Sequence, residues 1–291
     1  MVSTKETPFE SLLNFRDVGK SISSLSNQAT LKPSLLYRSA RPDNATKADQ
    51  HQLTATYGIK TILDLRTPTE HLEQARKLGL RVPTAPAARP SDPNYPLRIP
   101  DIEYKEVNFN GSAYSKALIK QLSYGHVAKL GVLYACGWRT QAISVLGTNV
   151  MAKRGLTGLA EDSLKHCTAE VRACFDVLAD KSSYPVLVHC TQGKDRTGLI
   201  VLLVLLLLNA PKEAIEKDYR LSESELQPER EERLKEITSI GLPESFADCP
   251  ADWVEKVSGW ITDKYGAVEA YLASCGVSKE QMESVRAILK A

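Results

Sequence analysis

PVLVHCTQGKDRTGLIVLLVLLLL, residues Pro185–Leu208, joins a short β-type run to the longest leucine block of the chain, with a polar loop between them. PVLVHC is strand-like in composition, and Leu199–Leu208 has the unbroken apolar character of a buried helix, so Thr191–Arg196 is expected to be the turn from strand end to helix start. Ten apolar residues fall well short of the roughly 20 needed to span a bilayer. A strand-to-helix turn of this kind is where α/β proteins bind anions. The first amides of the helix lack partners and its dipole places partial positive charge there. Gly193 and Gly198 allow a tight backbone, and Arg196 offers a planar fork of donors suited to two oxygens of a tetrahedral anion. Cys190, at the mouth of the turn, would sit in the same positive field, which favours a thiolate.

Further out, β-type runs occur at Leu35–Ser39, Thr61–Leu65, Tyr104–Phe109 and Pro185–Cys190, separated by segments of helical pattern. Alternation of this kind predicts an α/β fold with a mainly parallel central sheet flanked by helices. Thr46–Asp49 and Thr67–Glu70 each read as a capping box, the second with Pro68 at the first helical position, so Glu70 is read as a helix cap. Ser112–Lys181 reads as several consecutive helices, an insertion expected to form a lid or pocket wall in which Tyr134 and Trp138 are candidates for contact with substrate. Arg81–Pro100, rich in proline, reads as an irregular surface loop. No repeat or linker divides the 291 residues, and a single domain over 1–291 is expected.

A net charge of +2 and pI near 8.1 demand neither nucleic acid nor an anionic membrane as partner. Six cysteines without a C-x-x-C pair, in a chain of this length, suggest a reduced, cytoplasmic protein, and the N-terminus lacks the pattern of a secretory signal. No transmembrane segment is expected, although peripheral contact with a membrane remains open.

A bare C-x5-R is a weak pattern. The histidine before it, the glycine at the third loop position and the Thr-Gly after it make it specific. HCTQGKDRTG resembles the signature loop of the cysteine-dependent protein tyrosine phosphatase superfamily. GKDRTG taken with NFRDVG (Asn14–Gly19), YRSARP (Tyr37–Pro42), ILDLRTPTE (Ile62–Glu70) and DYRLSESEL (Asp218–Leu226) resembles, more narrowly, the tyrosine phosphatase-like family that includes bacterial virulence phosphatases and many fungal proteins. The resemblance implies a protein tyrosine or dual-specificity phosphatase working through a cysteinyl-phosphate, with no metal or organic cofactor. Its substrate would be a phosphorylated protein or, as the alternative, a phosphoinositide or inositol polyphosphate. Cys190 would be the nucleophile and Arg196 the phosphate binder, with Thr191, Gln192, Gly193, Lys194, Thr197 and Gly198 completing the phosphate loop.

The general acid departs from the superfamily pattern, because the segment after Tyr104–Phe109 offers no carboxylate before Glu161. Asp195 is therefore expected to donate the proton, with Asp64 as the alternative. His189 is expected to shape the loop by hydrogen bonding, and Thr197 to donate its hydroxyl to the sulfur. Lys194 is expected either to serve extra phosphates or to face solvent. Arg66 supports the site through Asp64 or a basic rim, and Arg16, Arg38 and Arg41 would widen that rim or form structural pairs. The rival readings are a rhodanese-like sulfur transferase, disfavoured by Arg196-Thr197-Gly198 at this spacing, and a silent phosphate-binding module, disfavoured by the joint presence of Cys190, Asp195 and Arg196.

Overall fold

A computed structural model describes residues 9–80, 92 and 95–291. Five strands, β1 (Arg16–Asp17), β2 (Leu36–Ser39), β3 (Thr61–Asp64), β4 (Glu103–Glu106) and β5 (Val186–His189), form one sheet in the order β1-β2-β5-β3-β4. The β1–β2 pair is antiparallel and every other pair is parallel. The chain is thus α/β with a mainly parallel sheet, as expected. The additional strand β1 is a two-residue polar edge, too short to show a period.

β2, β3 and β5 are buried along their whole length, with apolar side chains on both faces and the buried polar residues Ser39, Asp64 and His189 at their carboxyl ends. The register sets Ser39 and Asp64 on either side of His189, so three parallel strands end level beside the loop that follows β5. Ligand sites of open α/β sheets collect at this carboxyl end.

The helices are α1 (Val18–Ser26), α2 (Lys47–His51), α3 (Pro68–Lys77), α4 (Ser112–Ile119), α5 (Tyr124–Ala135), α6 (Arg139–Leu146), α7 (Ala152–His166), α8 (Thr168–Leu178), α9 (Asp195–Leu207), α10 (Lys212–Glu225), α11 (Arg230–Ser239), α12 (Trp253–Tyr265), α13 (Val268–Ser274) and α14 (Lys279–Leu289). Both expected capping boxes form, at Thr46/Asp49 and Thr67/Glu70, each with reciprocal bonds between side chain and backbone amide. α9 is buried on every side from Thr197 to Leu205, the signature of a central helix. It packs in one large core with α8, α12, α13 and the Val186/Val188 face of β5, while Leu187 faces a second cluster containing Phe15, Tyr37 and Ile62.

The helices α4–α8 fill the interval between β4 and β5, where the sequence pattern predicts them. α7 is interrupted at Gly155, whose φ of 63° breaks the helical run. The loop expected at Arg81–Pro100 falls largely outside the described residues. Of its described part, Tyr95 and Ile99 are buried, not on the surface.

Candidate active site

Cys190 follows β5 directly and is 3% exposed. The loop after it is held from outside by three successive carbonyls. Thr191 O accepts from the Arg41 amide at 3.1 Å, Gln192 O from the Asn14 side-chain amide at 2.8 Å, and Gly193 O from Arg38 at 2.7 Å. In a trans peptide the N–H points opposite to the C=O, so the amides of Gln192, Gly193 and Lys194 face away from these anchors, toward the hollow of the loop. Gly193 adopts φ +65°, and a Cβ there would lie 2.0 Å from Ser39 O, so no other residue fits without moving β2.

Arg38 is itself held by Asp218, at 2.8 Å, and Asp218 also accepts from Arg16 at 2.8 Å and from Ser21 at 2.6 Å. Burial raises the Asp218 carboxyl, but the two arginines and the hydrogen bonds outweigh it and set it at about 2. Burial also lowers Arg38 to about 10. Arg16 and Arg38 thus lie behind the loop as structural pairs and do not widen a basic rim. Asn14, Arg16, Arg38 and Asp218 come from three of the sequence motifs that flank the loop motif, and they converge on its back.

The front of the loop is a cleft of about 770 Å³ lined by Cys190, Thr191, Gln192, Asp195 and Arg196. Arg196 meets Glu70 side-on, Nη1 to Oε2 at 2.8 Å and Nη2 to Oε1 at 2.5 Å, and donates to Leu65 O at 3.1 Å. Glu70 therefore does more than cap α3. The carboxylate that closes the capping box also takes the Thr191 hydroxyl at 2.5 Å and fixes the plane of the guanidinium. Burial opposes the charge on both partners, but the pairing dominates, holding the Glu70 carboxyl well below its usual range and raising Arg196.

Asp195 opens α9 with a side chain 40% exposed, its oxygens 3.6 Å from Lys194 Nζ and 3.9 Å from Arg233 Nη2. Arg41, expected to widen the rim or form a structural pair, lines the same cleft, as does Arg233, which nothing in the sequence singled out. Asp64, the alternative acid, is wholly buried. Arg66 grips it through Nε and Nη2, His189 Nε2 stands 3.3 Å away and His71 Nε2 3.6 Å away. Desolvation would raise its carboxyl, but Arg66 first and the histidines after it hold it well below the ordinary range. Asp64 does not line the cleft. Arg66 also pairs with Asp43, which completes a buried carboxylate–guanidinium cluster under the loop.

His189 bonds through Nδ1 to Cys190 O at 3.0 Å. Three expectations are corrected. Lys194 neither faces solvent nor reaches the cleft: it is fully buried, and its Nζ donates to Phe246 O at 2.9 Å and Asp248 O at 2.7 Å, tying the segment before α12 to the loop. The Thr197 hydroxyl is buried and has no hydrogen-bond partner among the described residues, so it makes no bond to the Cys190 sulfur. Tyr134 and Trp138 do not line the cleft; α6 contributes Thr140 and Ile143 to its wall instead. Gly198 packs against the Tyr219 ring, where a Cβ would sit at 3.4 Å. Among the described residues no cluster of metal-ligating side chains occurs.

A cysteine at the end of a central parallel strand, an anion-facing loop and an arginine clamped at its far end define the cysteine-dependent phosphatase class. The chain belongs to the tyrosine phosphatase family, whose model matches residues 7–291. Similar proteins include the triple specificity protein phosphatase PtpB of Mycobacterium tuberculosis, 25% identical over an alignment covering 95% of this chain and 96% of that one. A tyrosine-protein phosphatase of Nostoc commune is 28% identical over 163 residues, where the match spans 50% of this chain and 55% of that protein.

Proposed function

We propose that this chain, acting as one phosphatase domain, hydrolyses phosphomonoesters on protein side chains, phosphotyrosine among them, by way of a cysteinyl-phosphate. The observation that carries this reading is the meeting of Cys190, Asp195 and Arg196 in one cleft, with the Arg196 fork set in plane by Glu70. In the first step the Cys190 sulfur attacks phosphorus in line. The S–P bond forms, the ester P–O bond breaks, and the departing oxygen takes its proton from the Asp195 carboxyl. Arg196 and the loop amides hold the equatorial oxygens as charge builds on them. In the second step water attacks phosphorus, its proton passes to the Asp195 carboxylate, and the thiolate leaves with the S–P electron pair.

The alternative substrate, a phosphoinositide, is supported by the apolar flank of the cleft, where Ile143, Met151, Leu156, Leu159, Ile240 and Leu242 suit a hydrocarbon neighbour better than a charged peptide. Six free cysteines, five of them buried, favour a reducing, cytoplasmic setting.

Cys190→Ser should abolish turnover of aryl phosphates while leaving phosphate-analogue binding intact, and persistent turnover would overturn the nucleophile. Asp195→Asn should slow esters of poor leaving groups far more than those of good ones. An equal loss on both would remove Asp195 as the acid. A panel of phosphotyrosyl, phosphoseryl and phosphoinositide substrates at equal concentration ranks the substrate classes.

A further inference from the structure

Apart from Leu78, every exposed large hydrophobic side chain among the described residues lies on or beside the hairpin formed by α5 and α6. Tyr124 is 97% exposed, Val132 63%, Tyr134 64% and Trp138 58%. α5 is a 12-residue helix of mostly apolar composition with no buried residue at all. An apolar helix left in water is costly, and a contiguous patch of this kind marks a surface that is covered in use.

Charge indicates what covers it. From Val107 to Ala160 the sequence contains no aspartate or glutamate, although the chain as a whole has 35 acidic residues. The same interval carries Lys116, Lys120, Lys129, Arg139, Lys153 and Arg154, and of these Arg154 is paired with Asp162. Lys129, on α5 between Tyr124 and Tyr134, is exposed, and so are Lys116 and Lys120 at α4. Cations interleaved with Trp, Tyr and Val, on a short helix, are the chemistry of the boundary between anionic headgroups and acyl chains. A second copy of this chain fits less well, since a two-fold contact would set these cations against themselves with no carboxylate of the hairpin to offset them.

We propose that the α5–α6 hairpin is a membrane-docking element that seats this protein on anionic lipid surfaces. Tyr124, Val132, Tyr134 and Trp138 enter the headgroup boundary and the lysines pair with anionic lipids. Because α6 also supplies Thr140 and Ile143 to the wall of the Cys190 cleft, docking brings the mouth of the cleft to the lipid surface.

The test uses the full chain as Cys190→Ser, in which Cys136, at the end of α5, is the one exposed thiol and accepts a polarity-sensitive fluorophore. With phosphatidylcholine vesicles containing about a third phosphatidylserine, the protein should co-sediment and the probe should shift to the blue. Vesicles of phosphatidylcholine alone should produce neither change, and added salt should weaken the effect. Tyr124→Ser with Trp138→Ser should lower partitioning about tenfold or more, and Lys129→Glu about fivefold or more. In the Cys190 background these variants should keep their activity on a soluble aryl phosphate. Failure to bind anionic vesicles, or equal binding to neutral ones, overturns the proposal. So does a probe shift that follows protein concentration without vesicles, which would make the hairpin an interface between copies. Because the assay needs no turnover, its failure leaves the phosphatase reading untouched, and the reverse also holds.

Discussion

Glu70→Gln separates two functions that one carboxylate performs. Glutamine still closes a capping box, so the N-terminus of α3 should survive, but the charge that holds Arg196 is gone. The pair consists of two charge-assisted bonds, at 2.8 and 2.5 Å, and a bond to a charged partner is worth about 1.5–3 kcal/mol when desolvated. With side chains 28% and 16% exposed, solvent screening reduces the stability loss to about 1–2 kcal/mol for the pair. The catalytic loss should be larger in proportion, because a guanidinium tilted out of plane loses its grip where charge accumulates. A drop in kcat/KM of about 10–100-fold, or about 1.4–2.7 kcal/mol, is expected, carried more by kcat than by KM. Steady-state hydrolysis of an aryl phosphate measures it, with urea unfolding of the same variant as the control. Since the folded carboxyl lies below its ordinary 4.5, the pair's contribution to stability is full above that pH and fades as pH falls beneath it. Wild type and variant should therefore converge in acid. A Glu70→Gln enzyme with undiminished kcat/KM would show that Glu70 is a cap and nothing more.

Gly193→Ala should eliminate turnover and lower Tm sharply, since its Cβ meets Ser39 O at 2.0 Å in a backbone region alanine resists; a fully active variant would show that β2 yields. Asp218→Asn should cost about 3–5 kcal/mol in urea unfolding at neutral pH, as it leaves Arg16 and Arg38 buried without their counter-charge. Asp218 titrates at about 2 in the fold against 3.8 ordinarily, so its stabilisation is full above pH 3.8 and is lost toward pH 2; unfolding in that window should steepen in wild type and not in the variant. Lys194→Met should cost about 1–3 kcal/mol by orphaning Phe246 O and Asp248 O while barely moving KM for a monophosphate. A stable variant with a raised KM would instead place the ammonium on substrate.

The reading of HCTQGKDRTG as strand end, loop and helix start held because each part is local: composition, periodicity and glycine positions lie within 24 residues. The parallel sheet followed from alternating elements. Lys194 misled because nothing local distinguishes a lysine aimed at solvent from one that reaches two carbonyls some fifty residues ahead. Glu70 was read correctly and incompletely, since a capping box accounts for the residue at short range and conceals a partner 126 positions away. For Arg38 the sequence left a basic rim and a structural pair both open, and only the tertiary fold reveals Asp218 as its partner.

The rear anchorage of the loop also sets an order of events in folding. Asn14 reaches Gln192 across 178 residues, and Arg16 reaches Asp218 across 202, so the hollow has no fixed shape until β1 has joined the sheet and α10 has packed behind it. Contacts of such sequence separation form late. A chain emerging during synthesis would carry the complete HCTQGKDRTG motif well before it could use it, and the onset of turnover in a refolding experiment would mark the close of assembly, not its beginning.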